Sequence, residues 1–239
     1  MVKCSSTPRR LTVALLFFML SAVPGGARAE AFKLLVFGDS LTHGYGLAAP
    51  DSFPAQLEAR LTADGWPVTV VNAGNSGDTT AAGLARVDWS LAGRPDGVIV
   101  ELGANDALRG IDPARTRANL EEILKRIGQQ GLPLLLAGMR APRNLGRDYA
   151  EAFDRIFPDL AEQLKVAFYP FFLEGVALRP DLNQADGIHP NRAGVAEIVT
   201  RIAPYVERLL EDAGVDRQRD GHRDDGQGHG GRLVLYGGL

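Results

Sequence analysis

The amino-acid sequence predicts an α/β fold, a three-layer α/β/α sandwich around a five-stranded parallel sheet. Short apolar segments alternate with longer segments of helical periodicity about five times along the chain, which is typical of parallel strands joined by helices. The apolar segments include LLVF, VIV and LLLA, and such continuous runs indicate strands that are buried on both faces. A chain of 239 residues, of which 45% are hydrophobic and 23% charged, can fill the core of such a domain.

Each element is predicted by its own pattern. The five apolar runs place strands at residues 32–37, 68–72, 97–102, 132–137 and 166–172. The helices between them are predicted at residues 53–63, 80–91, 113–128 and 149–164. The third helix is well marked, because Asp112 can cap it, Pro113 suits its first position, and apolar residues recur at i, i+3, i+4 and i+7 from Leu120. A last helix begins near Asn191 and carries six apolar residues on one face: Val195, Ile198, Val199, Ile202, Val206 and Leu209.

Residues 1–29 have the layout of a secretory signal peptide. Residues 1–10 are polar and basic, residues 11–23 are almost wholly apolar, and Ala27 and Ala29 place small residues before a cleavage site after position 29. About 13 apolar residues rise only about 20 Å as a helix, which is too short for a hydrocarbon core of about 30 Å. We therefore expect a periplasmic or secreted protein with no stable membrane span after cleavage. Cleavage would also remove Cys4, the only cysteine, and with it any disulfide or cysteine nucleophile.

The mature chain is expected to divide into a domain at residues 30–213 and a tail at residues 214–239. The tail is rich in Gly, Asp and Arg, a composition typical of disorder. Loss of the signal removes four basic residues and no acidic one, so the formal net charge changes from −3 to −7. Nucleic acids and anionic membrane surfaces require clustered positive charge, so we expect neither as a partner. We expect a monomer that acts on a small-molecule substrate.

Four polar clusters follow predicted strands or precede the last helix. They are GDSL at 38–41, NAGNSGD at 72–78, GAND at 103–106 and DGIHPN at 186–191. One such cluster usually only makes a turn or caps a helix. Because the carboxyl ends of parallel strands meet at one edge of a sheet, where ligands bind, we expect these clusters to converge on a functional site.

The clusters contain the residue types that acyl transfer requires. Ser40 is the candidate nucleophile, since a strand-to-helix turn exposes its hydroxyl, and His189 is the candidate base that accepts its proton. Asp186 can bond the second imidazole nitrogen and stabilise the imidazolium. The backbone N–H groups of Ser40 and Gly77 and the side-chain amide of Asn105 are candidate donors to the developing oxyanion.

Other polar residues of the clusters have simpler interpretations. Asp39, Asp78 and Asp106 are expected to cap helices or hold loops rather than to take part in the chemistry. His43 lies three residues after Ser40 and can line the cleft, but we do not expect it to be catalytic.

The four motifs resemble those of the SGNH, or GDSL, hydrolase family. The stretches that carry the resemblance are GDSLTHGYG (38–46), NAGNSGDTT (72–80), ELGANDALRG (101–110) and DGIHPN (186–191). The family's four namesake residues match Ser40, Gly77, Asn105 and His189, with the acid at Asp186. Segment 143–177 looks like the periplasmic multifunctional esterase branch, which includes acyl-CoA thioesterases, lysophospholipases and arylesterases. The resemblance implies a flavodoxin-like sandwich and a serine mechanism that needs no metal and no organic cofactor.

The same branch implies that the loop near residues 143–149 contributes to acyl binding. Leu145 and Tyr149 are therefore the candidate substrate-binding residues. Phe153 and Phe157, four residues apart, either extend this apolar flank or pack a helix against the sheet. Ala104 stands where many members have a second glycine, a change that would narrow the pocket.

Three other functions compete with a serine esterase of broad range. A metal-dependent phosphoesterase normally needs several histidines, and the predicted domain contains only His43 and His189. A non-catalytic lipid- or glycan-binding domain has no need of both a base and oxyanion donors. A carbohydrate deacetylase of the same family is the main alternative, and it would lose activity steeply as the acyl chain lengthens.

Overall fold

Five parallel strands form one sheet in the order β2-β1-β3-β4-β5 in the computed structural model, which describes Met1 and residues 31–218. The strands are β1 (Phe32–Gly38), β2 (Val68–Gly74), β3 (Gly97–Glu101), β4 (Leu134–Ala137) and β5 (Ala167–Tyr169). This strand order is that of the flavodoxin-like fold. In that fold, ligands bind beyond the carboxyl ends of the strands, at the point where the strand order reverses. The predicted fold class is confirmed.

The described residues form eight helices. They are α1 (Ser40–His43), α2 (Phe53–Ala63), α3 (Thr80–Leu91), α4 (Ala104–Leu108), α5 (Pro113–Gln129), α6 (Arg147–Asp154), α7 (Ile156–Leu164) and α8 (Arg192–Asp212). Helices α2 and α8 pack against each other, while α5 packs against both α3 and α7. Two short 3₁₀ turns lie at Ala49–Asp51 and Arg143–Leu145.

The structure departs from the predicted elements at three places next to a proline. The strand predicted at 132–137 begins at Leu134, directly after Pro133. The helix predicted at 149–164 is two helices, because the ring of Pro158 excludes a bond to the carbonyl of Asp154, where α6 ends. The strand predicted at 166–172 pairs only to Tyr169, because Pro170 has no N–H to donate. Helices α2 and α3 have the predicted bounds.

The aromatic pair on α6 and α7 belongs to the core. Phe153 and Phe157 are 0% and 1% exposed, and their rings meet edge to face with centroids 5.6 Å apart. Full burial of such a side chain stabilises the fold by about 1.5–3 kcal/mol. The interpretation that these two residues pack a helix against the sheet is therefore confirmed.

The last described residues remain in contact with the domain. Gln218 N–H donates to the Gly65 carbonyl at 2.7 Å, and the Arg217 guanidinium lies 5.2 Å from the centre of the Trp66 ring. The predicted signal peptide and residues 219–239 of the predicted tail lie outside the described residues, apart from Met1. Within residues 31–218, no helix is both long and apolar enough to cross a membrane.

Candidate active site

Ser40, His189 and Asp186 form one hydrogen-bonded chain at the carboxyl edge of the sheet. His189 Nε2 lies 2.9 Å from Ser40 Oγ, and His189 Nδ1 lies 2.7 Å from Asp186 Oδ2. A carboxylate beside Nδ1 favours the tautomer that carries its proton there, which leaves Nε2 as the acceptor for the serine hydroxyl. The structure thus brings Ser40 into contact with His189, which lies 149 positions later in the sequence.

The turn between β1 and α1 presents Ser40. The Asp39 side chain caps the helix by accepting a hydrogen bond from Leu41 N–H at 3.0 Å, so Ser40 is the first residue of α1. Its N–H therefore has no partner inside the helix. Below the turn, Thr42 Oγ1 donates to Glu101 Oε2 at 2.8 Å, and both residues are fully buried.

The loop before α8 fixes His189. Asp186 Oδ1 accepts hydrogen bonds from the N–H groups of Ile188 and His189, each at 3.0 Å. The ring of Tyr45 lies 4.7 Å from that of His189, and Gln184 Nε2 donates to the Tyr45 carbonyl at 2.8 Å. The sequence pattern did not single out Tyr45, since nothing in a turn motif indicates which distant ring it will contact.

Gly77 and Asn105 lie on the two loops beside Ser40. Gly77 has a φ of +86°, a conformation that disfavours any side chain, and its N–H donates to no described residue. Asn105 Nδ2 donates to Asp39 Oδ2 at 3.1 Å and to the Asp78 carbonyl at 3.0 Å. The side-chain amide of Asn105 is thus bonded to the two loops that contain Ser40 and Gly77, the other candidate donors to the oxyanion.

Three aspartates of the polar clusters stabilise the loops around Ser40, as the sequence analysis predicted. Asp39 caps α1, and Asp78 pairs with Arg86 at 2.6 Å. Asp106 accepts from Thr80 N–H at 2.8 Å and from the hydroxyls of Thr80 and Thr116.

Arg86 connects two of these loops through its hydrogen bonds. The sequence analysis did not identify this residue. Its Nη2 donates to the Gly38 carbonyl at 2.8 Å and its Nη1 to the Ala73 carbonyl at 3.0 Å, while Nε contacts Asp78. The guanidinium also lies 4.2 Å from the centre of the Phe37 ring. One cation therefore joins the strand that leads to Ser40 with the loop that contains Gly77.

The carboxyl groups of the site differ sharply in acidity. The His189 side chain, followed by its backbone N–H, lowers the pKa of Asp186 to about 2, so this group is ionised at neutral pH. Burial raises the pKa of Asp39 to about 6, against hydrogen bonds from Leu41 and Asn105. Burial, with the nearby Asp39 charge, raises the pKa of Glu101 well above its usual range. Glu101 was not predicted to matter, although a charged residue inside the apolar run VIVEL was a signal.

A mostly apolar cavity of ≈ 190 Å³ opens beside Ser40 and His189. Apart from those two residues and Asn105, it is lined by Leu41, Ala104, Ala107, Leu108, Met139, Arg140, Pro142, Leu173, Ala177, Leu178, Asn183, Gly187 and Ile188. Ala104, expected to narrow the pocket, is one of the residues that line this cavity.

Leu145, Tyr149 and His43 do not line this cavity. Leu145 lies on the 3₁₀ turn that follows Pro142 and is 37% exposed. The Tyr149 hydroxyl donates to the Ile111 carbonyl at 2.8 Å. His43 Nδ1 lies 3.3 Å from the Gly74 carbonyl, away from the chain of Ser40 and His189.

In residues 31–218, no group of three or more His, Cys, Asp or Glu side chains is arranged to hold a metal ion. What the arrangement can do chemically is to move a proton between a hydroxyl and an imidazole beside several N–H donors.

Comparison with known proteins gives one consistent result. Residues 36–196 match the GDSL-like lipase/acylhydrolase family. The chain is 42% identical over 184 residues to "Esterase TesA" of Pseudomonas aeruginosa, which covers 77% of this chain and 92% of the relative. It is 43% identical over 185 residues to "Thioesterase 1/protease 1/lysophospholipase L1" of Escherichia coli K12, which covers 76% and 86%.

Comparison with a solved structure gives the same family. The crystal structure of AlinE4, an SGNH-hydrolase family esterase, superposes with a TM-score of 0.64 at 49% identity and covers 76% of this chain and 97% of that one. The fold is thus shared with an enzyme that bears an esterase name. The chain belongs to the GDSL-like lipase/acylhydrolase family.

Proposed function

We propose that this protein is a serine esterase that hydrolyses carboxylic acyl esters through an acyl-enzyme. The observation that carries the proposal is the continuous chain of contacts from Asp186 through His189 to Ser40, at 2.7 and 2.9 Å. A hydroxyl, an imidazole and a carboxylate at these distances match the requirements of an activated serine nucleophile.

The reaction follows from this geometry in two halves. His189 Nε2 takes the Ser40 proton while Oγ bonds to the acyl carbon, and it then returns the proton to the departing alcohol or thiol as that bond breaks. A water molecule next gives its proton to Nε2 and attacks the acyl-serine, which releases the carboxylic acid and restores the Ser40 hydroxyl. Asp186 stays ionised and stabilises the imidazolium in both halves.

The oxyanion of each tetrahedral intermediate would be stabilised by the N–H groups of Ser40 and Gly77 and by Asn105 Nδ2. Each such donor contributes about 2.7–4 kcal/mol to transition-state stabilisation. The Asn105 amide is already oriented by its hydrogen bonds to Asp39 and Asp78. It would therefore keep this orientation, and one of its hydrogens would be shared between its present acceptor and the oxyanion.

The substrate class follows from the apolar cavity and from the family. We propose aryl esters, lysophospholipids and acyl thioesters as substrates, in keeping with the names of the relatives. Leu145 would contact acyl chains that are long enough to leave the cavity past Pro142. Tyr149, with its hydroxyl bound to Ile111, would support the same loop.

We further propose that the enzyme is exported. The support is the pattern of residues 1–29, which predicts a signal peptide cleaved after Ala29 and a periplasmic or secreted domain from residue 30. The enzyme would act as a monomer, with no cofactor, and with residues 214–239 as a tail.

Hydrolysis of p-nitrophenyl esters from acetyl to palmitoyl, in the presence of EDTA, tests the function. We expect turnover in the wild type and in Ser76→Ala, which removes a hydroxyl from the Gly77 loop, but none in Ser40→Ala. Activity that EDTA abolishes and Ser40→Ala retains would contradict the proposal. A steep fall beyond acetyl, with preference for acetylated sugars, would indicate a carbohydrate deacetylase instead.

A further inference from the structure

A buried carboxyl group lies below the turn that presents Ser40. Glu101, the last residue of β3, is fully buried, and its Oε2 forms a hydrogen bond with Thr42 Oγ1 at 2.8 Å. A Cβ atom at Gly38 would overlap with Thr42 Oγ1 and would lie 2.7 Å from Glu101 Oε2. The two side chains therefore fill the space beside the strand end that leads, through Asp39, to the nucleophile.

No ion pair neutralises this carboxyl group within residues 31–218. The neighbours of Glu101 across the sheet, Gly38 and Ala137, carry no charge. Arg86, the cation that bonds the Gly38 carbonyl, pairs with Asp78 instead. Glu101 Oε1 is buried and makes no hydrogen bond to a described residue. An ionised carboxyl group in this place would bury a charged oxygen without a partner, which is strongly unfavourable.

The neighbouring Asp39 acts in the same direction. Asp39 accepts hydrogen bonds from Leu41 N–H at 3.0 Å and from Asn105 Nδ2 at 3.1 Å, and such bonds favour its ionised form. Burial, followed by this negative charge, raises the pKa of Glu101 well above its usual range. Of the two buried carboxyl groups, Glu101 is therefore the one that retains its proton at neutral pH.

We propose that Glu101 is a positioning residue for Ser40 and that it acts as an uncharged carboxylic acid. This inference rests on the proposed esterase function of the same site. Thr42 belongs to the same four-residue helix as Ser40, so its bond to Glu101 fixes the turn on which the nucleophile lies. The Ser40 hydroxyl is thereby held 2.9 Å from His189 Nε2. An ionised Glu101 would place a second negative charge beside Asp39 and displace this turn.

Substitutions of similar size in this pair test the assignment through kcat on p-nitrophenyl butyrate. Glu101→Gln keeps the shape and an uncharged polar group, so kcat should stay within about threefold of the wild-type value. Glu101→Leu and Thr42→Val each remove the bond between the two side chains. Both should lower kcat about 10–100-fold with little change in KM, because a small displacement of Ser40 slows the chemical step. The double variant should be no slower than the slower single variant, since both substitutions remove one interaction.

Val98→Ala is the control for a general loss of stability. Val98 is fully buried near the opposite end of the same strand, so its truncation should lower the unfolding midpoint and leave kcat within about twofold. Wild-type kcat in folded Glu101→Leu or Thr42→Val would overturn the proposal. Equal losses in Glu101→Gln and Glu101→Leu, or an equal loss in Val98→Ala, would also overturn it.

The charge state of Glu101 is tested without any substrate. Glu101 is ionised in the unfolded chain at neutral pH, so a residue that is protonated in the folded state must release its proton on unfolding. Between about pH 7 and 8, the unfolding equilibrium constant of the wild type should therefore rise about tenfold relative to that of Glu101→Gln. Asp39, with a pKa of about 6, is ionised in both proteins over this range. A constant ratio would overturn the proposal, because folded Glu101 would then be ionised already.

The outcome is separable from that of the esterase proposal. If the wild type hydrolyses none of the p-nitrophenyl esters, the proposed function fails. In that case, the NMR chemical shift of His189 Nε2, which responds to its hydrogen bond with Ser40, decides the role of Glu101. A changed shift in Glu101→Leu and Thr42→Val, with the wild-type shift in Glu101→Gln, would support that role, and any other pattern would refute it.

Discussion

Replacement of Arg86 by methionine should weaken both the fold and the catalysis. The substitution keeps an apolar side chain of similar length but removes the ion pair with Asp78 and the hydrogen bonds to the Gly38 and Ala73 carbonyls. Arg86 and Asp78 are only 21% and 7% exposed, so water cannot replace the lost partner of Asp78.

The expected loss in the free energy of unfolding is about 3–5 kcal/mol, the usual cost of removing one partner from a buried pair. With a urea m-value of about 2 kcal/mol per molar, the unfolding midpoint would fall by about 2 M. Because the lost bonds position Gly38, next to the Ser40 turn, and Asp78, next to Gly77, kcat should fall by about 10–100-fold.

Urea unfolding followed by circular dichroism, together with kcat on p-nitrophenyl butyrate in native conditions, measures both effects. Arg126→Met is the control, since Arg126 pairs with the exposed Asp88 and Glu122 and should cost less than about 1 kcal/mol. If Arg86→Met matched Arg126→Met in both midpoint and kcat, the claim that one cation joins the two loops would be refuted.

Three further predictions concern single side chains. Asn105→Ala should lower kcat about 10²–10³-fold with the fold intact, and a loss below threefold would remove Asn105 from the oxyanion site. Asp39 retains its proton up to a pKa of about 6 in the folded state, whereas the unfolded chain releases it near 3.8. The wild type should therefore lose about 2 kcal/mol in free energy of unfolding between pH 4 and pH 7 relative to Asp39→Asn, and parallel stability curves for the two proteins would contradict this. Leu145→Ala should reduce the preference for long p-nitrophenyl esters, and an unchanged chain-length profile would exclude Leu145 from acyl binding.

The sequence predicted the sheet and most of the helices because their signals are local. Runs of residues buried on both faces mark the strands, and cap residues such as Asp112 mark helix starts. The short helices α1 and α4 were not predicted, since four or five residues carry no measurable period. The apolar pattern predicted one helix across α6 and α7, but Pro158 removes a backbone hydrogen bond and the helix is interrupted there.

The site residues that belong to short sequence motifs could be predicted. The site residues that act through contacts between distant parts of the chain could not. Ser40, Gly77, Asn105 and His189 each belong to a polar cluster that follows a strand or precedes a helix. Tyr45, Arg86 and Glu101 act through contacts that only the fold creates: a ring against His189, bonds to two strand ends, and a buried carboxyl under Thr42. Burial and pairing of this kind depend on tertiary packing, which no local pattern in the sequence specifies.

Detection of the acyl-enzyme is the most direct test of the serine mechanism. The protein would be mixed with excess p-nitrophenyl butyrate, quenched in acid during turnover, digested and analysed by mass spectrometry. With so good a leaving group, acylation should outpace deacylation and the intermediate should accumulate. We expect one butyryl group on the peptide that contains Ser40 and none in Ser40→Ala. Turnover by the wild type with no butyryl group on that peptide, or with the group on another residue, would contradict the mechanism.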